Sequence, residues 1–267
     1  MFSYLVALLA IGLFLANPIG HYLFPPQGRS PSRHLAPKPR MNESLLALVG
    51  PEDAALDCPV DAYATRIISR EPLVLYLEGF RSSEPLFEAS TVTHKVDDVH
   101  RDTAVRNSSV ALIPRTATVR CIEARARALQ GWRDDVFLER LRTQRYVAGG
   151  HYAHHFDYGA AVGGWGRVSS FMVWLDTQDL QGGGTEFPYL AVRGEAAKPW
   201  CRLVECDTTA ARPQPTGTVF KPLAGNAVYW ENFAADGRGS DATWHAGLPV
   251  MEGVKVGLNI WSTGRIL

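Results

Sequence analysis

This chain of 267 residues has no excess of charge, since 27 basic residues meet 27 acidic ones. No global field therefore favours a polyanion, and nucleic acid is not expected as a partner. Apolar runs long enough to cross a bilayer are also missing. Met1 to Ala16 is uncharged and apolar but shorter than the about 20 residues a span needs. Extending it to Phe24 reaches that length only by taking in Asn17 and His21. The start has no Lys or Arg, and no small-x-small cleavage site follows, so a signal peptide and a short membrane anchor stay equally open for residues 1–24. Both route the chain into the secretory pathway, with the endoplasmic reticulum lumen or membrane as the expected location. Cysteine is sparse. Cys58, Cys121, Cys201 and Cys206 suit two disulfides with three alternative pairings, while buried free thiols remain equally open. No second close pair or nearby histidines at ligand spacing suggest zinc. Gly182, Gly183 and Gly184 are not followed by Gly-Lys-Ser/Thr, which argues for a turn over a phosphate loop.

What is present begins with a tether. Residues 25–45 read as a Pro-rich linker, with Pro25, Pro26, Pro31, Pro37 and Pro39 among basic residues and too little apolar surface to fold. Asn42-Glu43-Ser44 and Asn107-Ser108-Ser109 are N-glycan acceptor patterns that favour a lumenal chain. Against this, Arg29, Arg33, Lys38 and Arg40 would stay cytosolic beside an anchor. Residues 46–267 read as one domain. Leu73 to Phe80 is strand-like, Ser83 to Ala89 suggests a short helix, and Val119 to Leu129 a helix with Val119, Ile122, Ala126 and Leu129 on one face. From Arg145 onward short β-like runs recur at Ser169 to Asp176, Gly217 to Lys221, Asn226 to Trp230 and Val254 to Trp261, as in a barrel or sandwich. In the last run Val254, Val256, Leu258 and Ile260 share one face. Lys255, Gly257, Asn259 and Trp261 share the other, which is free to line a cavity.

His155-Phe156-Asp157 carries the chemistry. Residues i and i+2 of a strand project from one face, so an imidazole and a carboxylate reach one ion without distorting the backbone. A facial iron site needs one more imidazole, from elsewhere in the chain. Alone, His-x-Asp is weak: with 8 His in the chain, roughly one match arises by accident. His100-Arg101-Asp102 is such a match, in a polar stretch without alternation, and reads as a solvated loop. His155 instead lies among aromatics, in Tyr146-Val-Ala-Gly-Gly-His-Tyr152-Ala-His-His155-Phe-Asp157-Tyr158.

Together with Gly183-Gly184-Thr185-Glu186-Phe187-Pro188 and His245-Ala-Gly247-Leu-Pro249-Val-Met-Glu-Gly253-Val-Lys255, this segment resembles the prolyl 4-hydroxylase family, from about Leu73 to Trp261. The resemblance implies a mainly β, α+β fold: a double-stranded β-helix (jelly roll) with helices packed outside. It implies that His155, Asp157 and His245 bind Fe(II), that Lys255 binds the distal carboxylate of 2-oxoglutarate, and that Tyr146 and Thr185 assist. Lys255 suits that role physically, because a buried dianion needs a cation. Tyr152, Arg167 and Trp261 would meet the proline-bearing peptide, and ascorbate would support turnover. The reaction implied is hydroxylation of peptidyl proline at C4 with release of succinate and CO2. Hydroxylation of another side chain or a small molecule is the alternative, and a non-catalytic metal-bound jelly roll that binds peptide or sugar is the alternative from another class. No upstream peptide-binding or oligomerisation domain is visible, so no obligate second subunit is expected. His151 and His154 flank the motif without being expected as ligands. Gly150 stands where the family has Gln, Trp244 where a small residue is common, and Val256 where Trp is usual; none removes a ligand. The insertion Ala191 to Pro215 puts the substrate in question, not the iron.

Overall fold

The β-like runs become strands of antiparallel sheets in the computed structural model, which describes residues 41–58, 63–80, 88–89, 92–95, 98–100, 102–159, 164–190, 192, 194–206 and 217–266. The larger sheet has nine strands, in the order β1 (Ala64–Arg70), β2 (Leu73–Glu78), β15 (Ala227–Glu231), β11 (Trp165–Asp176), β18 (Lys255–Arg265), β9 (Arg142–Tyr146), β7 (Ser109–Leu112) and β3 (Glu88–Ala89), with β8 (Val136–Leu138) also on β18. The smaller has five: β14 (Thr218–Phe220), β13 (Thr185–Phe187), β16 (His245–Gly247), β10 (His151–His155) and β6 (Arg106–Asn107). Two further pairs are β12 (Gln181–Gly182) with β17 (Val250–Glu252), and β4 (Val92–Lys95) with β5 (Asp98–His100). Apart from β1 with β2 and β13 with β14, neighbours in both large sheets are not consecutive in the chain, as a jelly roll requires. The fold is mainly β and jelly-roll-like, as expected.

Helix α1 (Ala117–Leu129) is the one α-helix among the described residues; the side chain of Thr116 accepts the N–H of Val119 at 3.4 Å and caps it. Its buried Val119, Ile122 and Ala126 pack with Leu77, Phe171, Leu258 and Ile260 of the larger sheet. A second core joins the two sheets, with Tyr76, Met172, Trp174 and Trp230 from the larger and Phe187 and Phe220 from the smaller. Each such large side chain contributes roughly 1.5–3 kcal/mol by leaving water. The alternation of β18 is therefore what divides it: Leu258 and Ile260 serve the helix-side core, while Lys255 and Asn259 line a cavity between the sheets.

Four expectations need comment. Residues 1–40, the N-terminal segment and most of the linker, lie outside the described residues. The packed part begins inside the span assigned to the linker, because Glu43–Leu45 forms a 3-10 turn capped by Asn42, and Leu46 and Ala47 are buried. Of the short helix expected over Ser83 to Ala89, only Glu88 and Ala89 are described, and they are strand, paired with Val110 and Ser109. Asp98–His100 is likewise strand, since it pairs with Val92–Lys95 despite its polar composition. Local pattern misses such pairing because cross-strand partners supply the hydrogen bonds.

The cysteines form Cys58–Cys121 and Cys201–Cys206, with no free thiol among the described residues. The second bridge closes the turn after the 3-10 segment Gly194–Trp200, inside the insertion. There Leu203 and Val204 are fully buried against the inter-sheet core, and Lys221 Nζ donates to the Cys201 carbonyl at 2.7 Å.

Candidate active site

His155 ends β10 and His245 opens β16, and the two are direct partners across these antiparallel strands. Asp157 follows two residues after His155. The register thus places three donors together: ligand atoms of His155, Asp157 and His245 all lie within 4.8 Å of one another. His155 Nε2 stands 3.6 Å from one Asp157 carboxylate oxygen and His245 Nε2 stands 3.9 Å from the other. The other ring nitrogens are engaged. His155 Nδ1 donates to the Ala153 carbonyl at 2.8 Å and His245 Nδ1 to the Thr243 carbonyl at 2.9 Å. A carbonyl only accepts, so each Nδ1 carries a proton and each Nε2 is the atom turned toward Asp157. Burial, then the nearby His155, pushes His245 down to about 4, so its ring is neutral at pH 7. Burial would raise Asp157, but His155, His245 and Arg167 outweigh it and hold the carboxyl well below the usual range. Two imidazoles and one carboxylate on one side of a space form a donor set that fits a divalent metal such as Fe(II).

Lys255 opens β18 opposite Tyr146 of β9, and its ammonium points into the same cavity. It is 1% exposed. Its Nζ donates to the Gly183 carbonyl and stands 5.1 Å from the centre of the Tyr146 ring. Among the described residues no carboxylate lies within salt-bridge distance of it, and burial alone pushes it down to about 7. An unpaired buried ammonium is costly, and an anion in the cavity would offset that cost. Gly183 is needed where it is: its φ is +68°, and an added Cβ would stand 3.2 Å from Val250 and 3.3 Å from the Lys255 stem. Tyr146, Tyr152 and Thr185 complete this wall, with Thr185 3% exposed. Side chains fill most of the cavity, leaving about 30 Å³ free. Met172 and Lys255 are unbranched, rotatable side chains that can yield to a ligand.

Seven of the nine expected residues therefore line one cavity: His155, Asp157, His245, Lys255, Tyr146, Thr185 and Tyr152. Tyr152 stacks on His155 at 3.7 Å between ring centres and carries the Arg106 guanidinium over its ring. Arg167 and Trp261 stand at the margin, paired with each other at 3.9 Å. The Arg167 fork is taken by the Glu139 carboxylate at 2.7 and 2.9 Å, and its remaining nitrogen approaches the Asp157 carbonyl at 3.5 Å. His154 pairs with Glu186 at 2.8 Å and His151 bonds the carbonyls of Gly149 and Ala104, so neither joins the triad.

The departures from the motif have local causes. A Cβ on Gly150 would stand 2.7 Å from the Val147 carbonyl oxygen, so this backbone has no room for glutamine there. Trp244 packs on Phe156, with ring centres 4.6 Å apart. Sequence reasoning missed Gln144, Met172 and Trp230, all of which line the cavity. Gln144 was within reach of the same i, i+2 rule applied backwards from Tyr146.

Two histidines, one aspartate and a buried lysine thus share one cavity of a jelly-roll-like fold, a donor set that fits a divalent metal beside a cation that fits an anion. Residues 141–263 match the model of the 2OG-Fe(II) oxygenase superfamily, so the resemblance seen in the motifs holds. The chain is 29% identical over 133 residues to prolyl 4-hydroxylase subunit alpha-3 of Mus musculus, and 28% identical over 131 residues to prolyl 4-hydroxylase subunit alpha-2 of Caenorhabditis elegans. These alignments take in 47% and 46% of this chain but only 19% of either relative. Among solved structures it is similar to the viral collagen prolyl hydroxylase of Paramecium Bursaria Chlorella virus-1 in its 2OG complex, with a TM-score of 0.45 and 24% identity over 60% of this chain and 80% of that one. A Pseudomonas putida prolyl-4-hydroxylase gives 0.39 and 18%, covering 67% and 77%.

Proposed function

We propose that the protein is an Fe(II)- and 2-oxoglutarate-dependent dioxygenase that hydroxylates peptidyl proline at C4, releasing succinate and CO2. The observation that carries this reading is the shared cavity of His155, Asp157, His245 and an unpaired buried Lys255. His155, Asp157 and His245 would hold the iron, which supplies the oxygen-activating chemistry when bound. One carboxylate ligand leaves Fe(II) with surplus positive charge, and Lys255 adds another, so together they neutralise the dianionic keto acid. Lys255 would leave the Gly183 carbonyl to take the distal carboxylate, with Tyr146 and Thr185 beside it. The packed walls exclude water and keep the keto acid aimed at the triad.

On the same reading Tyr152, Trp261 and Arg167 form the peptide side of the site, and ascorbate supports turnover. Residues 46–267 form the oxygenase domain behind a linker and a signal or anchor. The two disulfides and the similarity to prolyl 4-hydroxylase subunits support placement in the secretory pathway, in the endoplasmic reticulum. A second reading keeps the chemistry and changes the substrate to another side chain or a small molecule. The engagement of Arg167 with Glu139 favours it, because the guanidinium fork is not free for peptide carbonyls.

The test is to incubate the purified protein with Fe(II), ascorbate, 2-oxoglutarate and proline-containing peptide libraries, then assay succinate and locate added oxygen by mass spectrometry. Oxygen on proline is expected. Oxygen on another residue selects the second reading, and no succinate with any substrate rejects both.

A further inference from the structure

We propose that Gln144 is a binding residue for the keto acid, donating its amide N–H to an oxygen of that ligand between Lys255 and the triad. The proposal rests on the co-substrate reading above. Gln144 lines the cavity shared by Lys255 and the three candidate ligands, and it is 1% exposed. Its Nε2 has no hydrogen-bond partner, although such a group buried without one is costly.

The register shows where the amide stands. Lys255 pairs with Tyr146, Gly257 with Gln144 and Asn259 with Arg142 along β18 and β9. One end of this floor is set by Lys255, whose ammonium lies 3.9 Å from where a Gly247 Cβ would be. The other end is set by Trp261, under the Arg167 guanidinium that reaches the Asp157 carbonyl. Gln144 stands between, one i, i+2 step (about 7 Å) from Tyr146 on the same strand face. Gly257 opposite it has no side chain, and the Met172 terminal methyl occupies that space, 2.3 Å from where a Cβ would be. Once Met172 swings aside, a dicarboxylate lying from Lys255 to the triad passes the free amide, and an amide N–H facing a carboxylate forms a charge-assisted bond.

The test is calorimetric titration of 2-oxoglutarate into full-length protein loaded with Mn(II), a surrogate that removes turnover from the readout. For Q144M, nearly isosteric and apolar, the dissociation constant is expected to rise about tenfold or more, the loss typical of a hydrogen bond to a charged group. Mn(II) affinity and the melting temperature of the ligand-free protein should stay near wild type. Q144E, isosteric but anionic, should weaken the dicarboxylate further, and a purely structural role would not produce that order. Wild-type affinity in both variants overturns the proposal, as does equal loss of Mn(II) and keto acid. If wild-type protein itself binds no 2-oxoglutarate, the co-substrate reading falls and this proposal falls with it.

Discussion

The rings of His155 and His245 stand 4.3 Å apart, centre to centre, as direct partners on two antiparallel strands of the smaller sheet. With Nδ1 tied to carbonyls, they turn their Nε2 atoms to one space beside Asp157. Removing one ligand of three should therefore abolish tight metal binding. H155A, D157A and H245A are each expected to lose bound Fe(II) or Mn(II) and all succinate formation. Metal analysis after dialysis and a succinate assay check this, and a variant that keeps both excludes its residue from the site.

Lys255 gives a pH prediction. Its folded value, about 7, lies below the ordinary 10.5, so between these the unfolded chain holds a proton that the folded chain lacks. The contribution to stability is fully present above 10.5 and is lost as pH falls through about 7. Ligand-free protein should thus gain stability from Lys255 as pH rises from 7 to 9. A bound dicarboxylate pulls the value up again, so binding at pH 8 should be accompanied by proton uptake. Titration calorimetry in two buffers of different ionisation enthalpy measures this uptake, and K255A should remove it along with most of the 2-oxoglutarate affinity while metal binding stays.

The disulfides differ in the loops they close. Cys58–Cys121 spans 63 residues and Cys201–Cys206 spans 5. Loop-closure entropy then gives about 4 kcal/mol for the first and about 2 kcal/mol for the second. C58S/C121S should lower the denaturant midpoint roughly twice as far as C201S/C206S. Equal effects would show that local packing, such as that of Leu203 and Val204, outweighs chain entropy.

Glu123 of α1 is fully buried and takes Arg115 through both carboxylate oxygens, at 2.7 to 3.1 Å. E123A leaves that guanidinium short of its main anion and should cost about 3 kcal/mol. The measurement is urea unfolding of the ligand-free protein, and a change below half that value would show that Asp53, 3.6 Å from Arg115, suffices.

The site was more legible than the fold around it. A candidate triad made of two residues close in sequence and a spaced motif can be read from residue order, because closeness in sequence keeps the first two donors together. Alternation divided β18 as expected, whereas Asp157 lies just past the end of β10, so its approach to His155 comes from the bend after the strand and not from a shared strand face. Nor did alternation find the pairing of Asp98–His100 with Val92–Lys95, because that strand rests on a partner strand and not on its own pattern. Alternation from Tyr146 puts Gln144 on the cavity face, but that its amide lacks a partner is set by its surroundings and not by its sequence neighbours.

By itself the sequence determined the candidate donor types, their order, and the face of β18 on which Lys255 stands, since these follow from covalent order and period-2 alternation. Tertiary structure alone decided that Lys255 has no counter-ion among the described residues, that Glu139 occupies the Arg167 fork, and which cysteines pair. Each of those depends on how far apart chain segments distant in sequence come to rest, and that distance is set by packing of the two sheets rather than by any local preference.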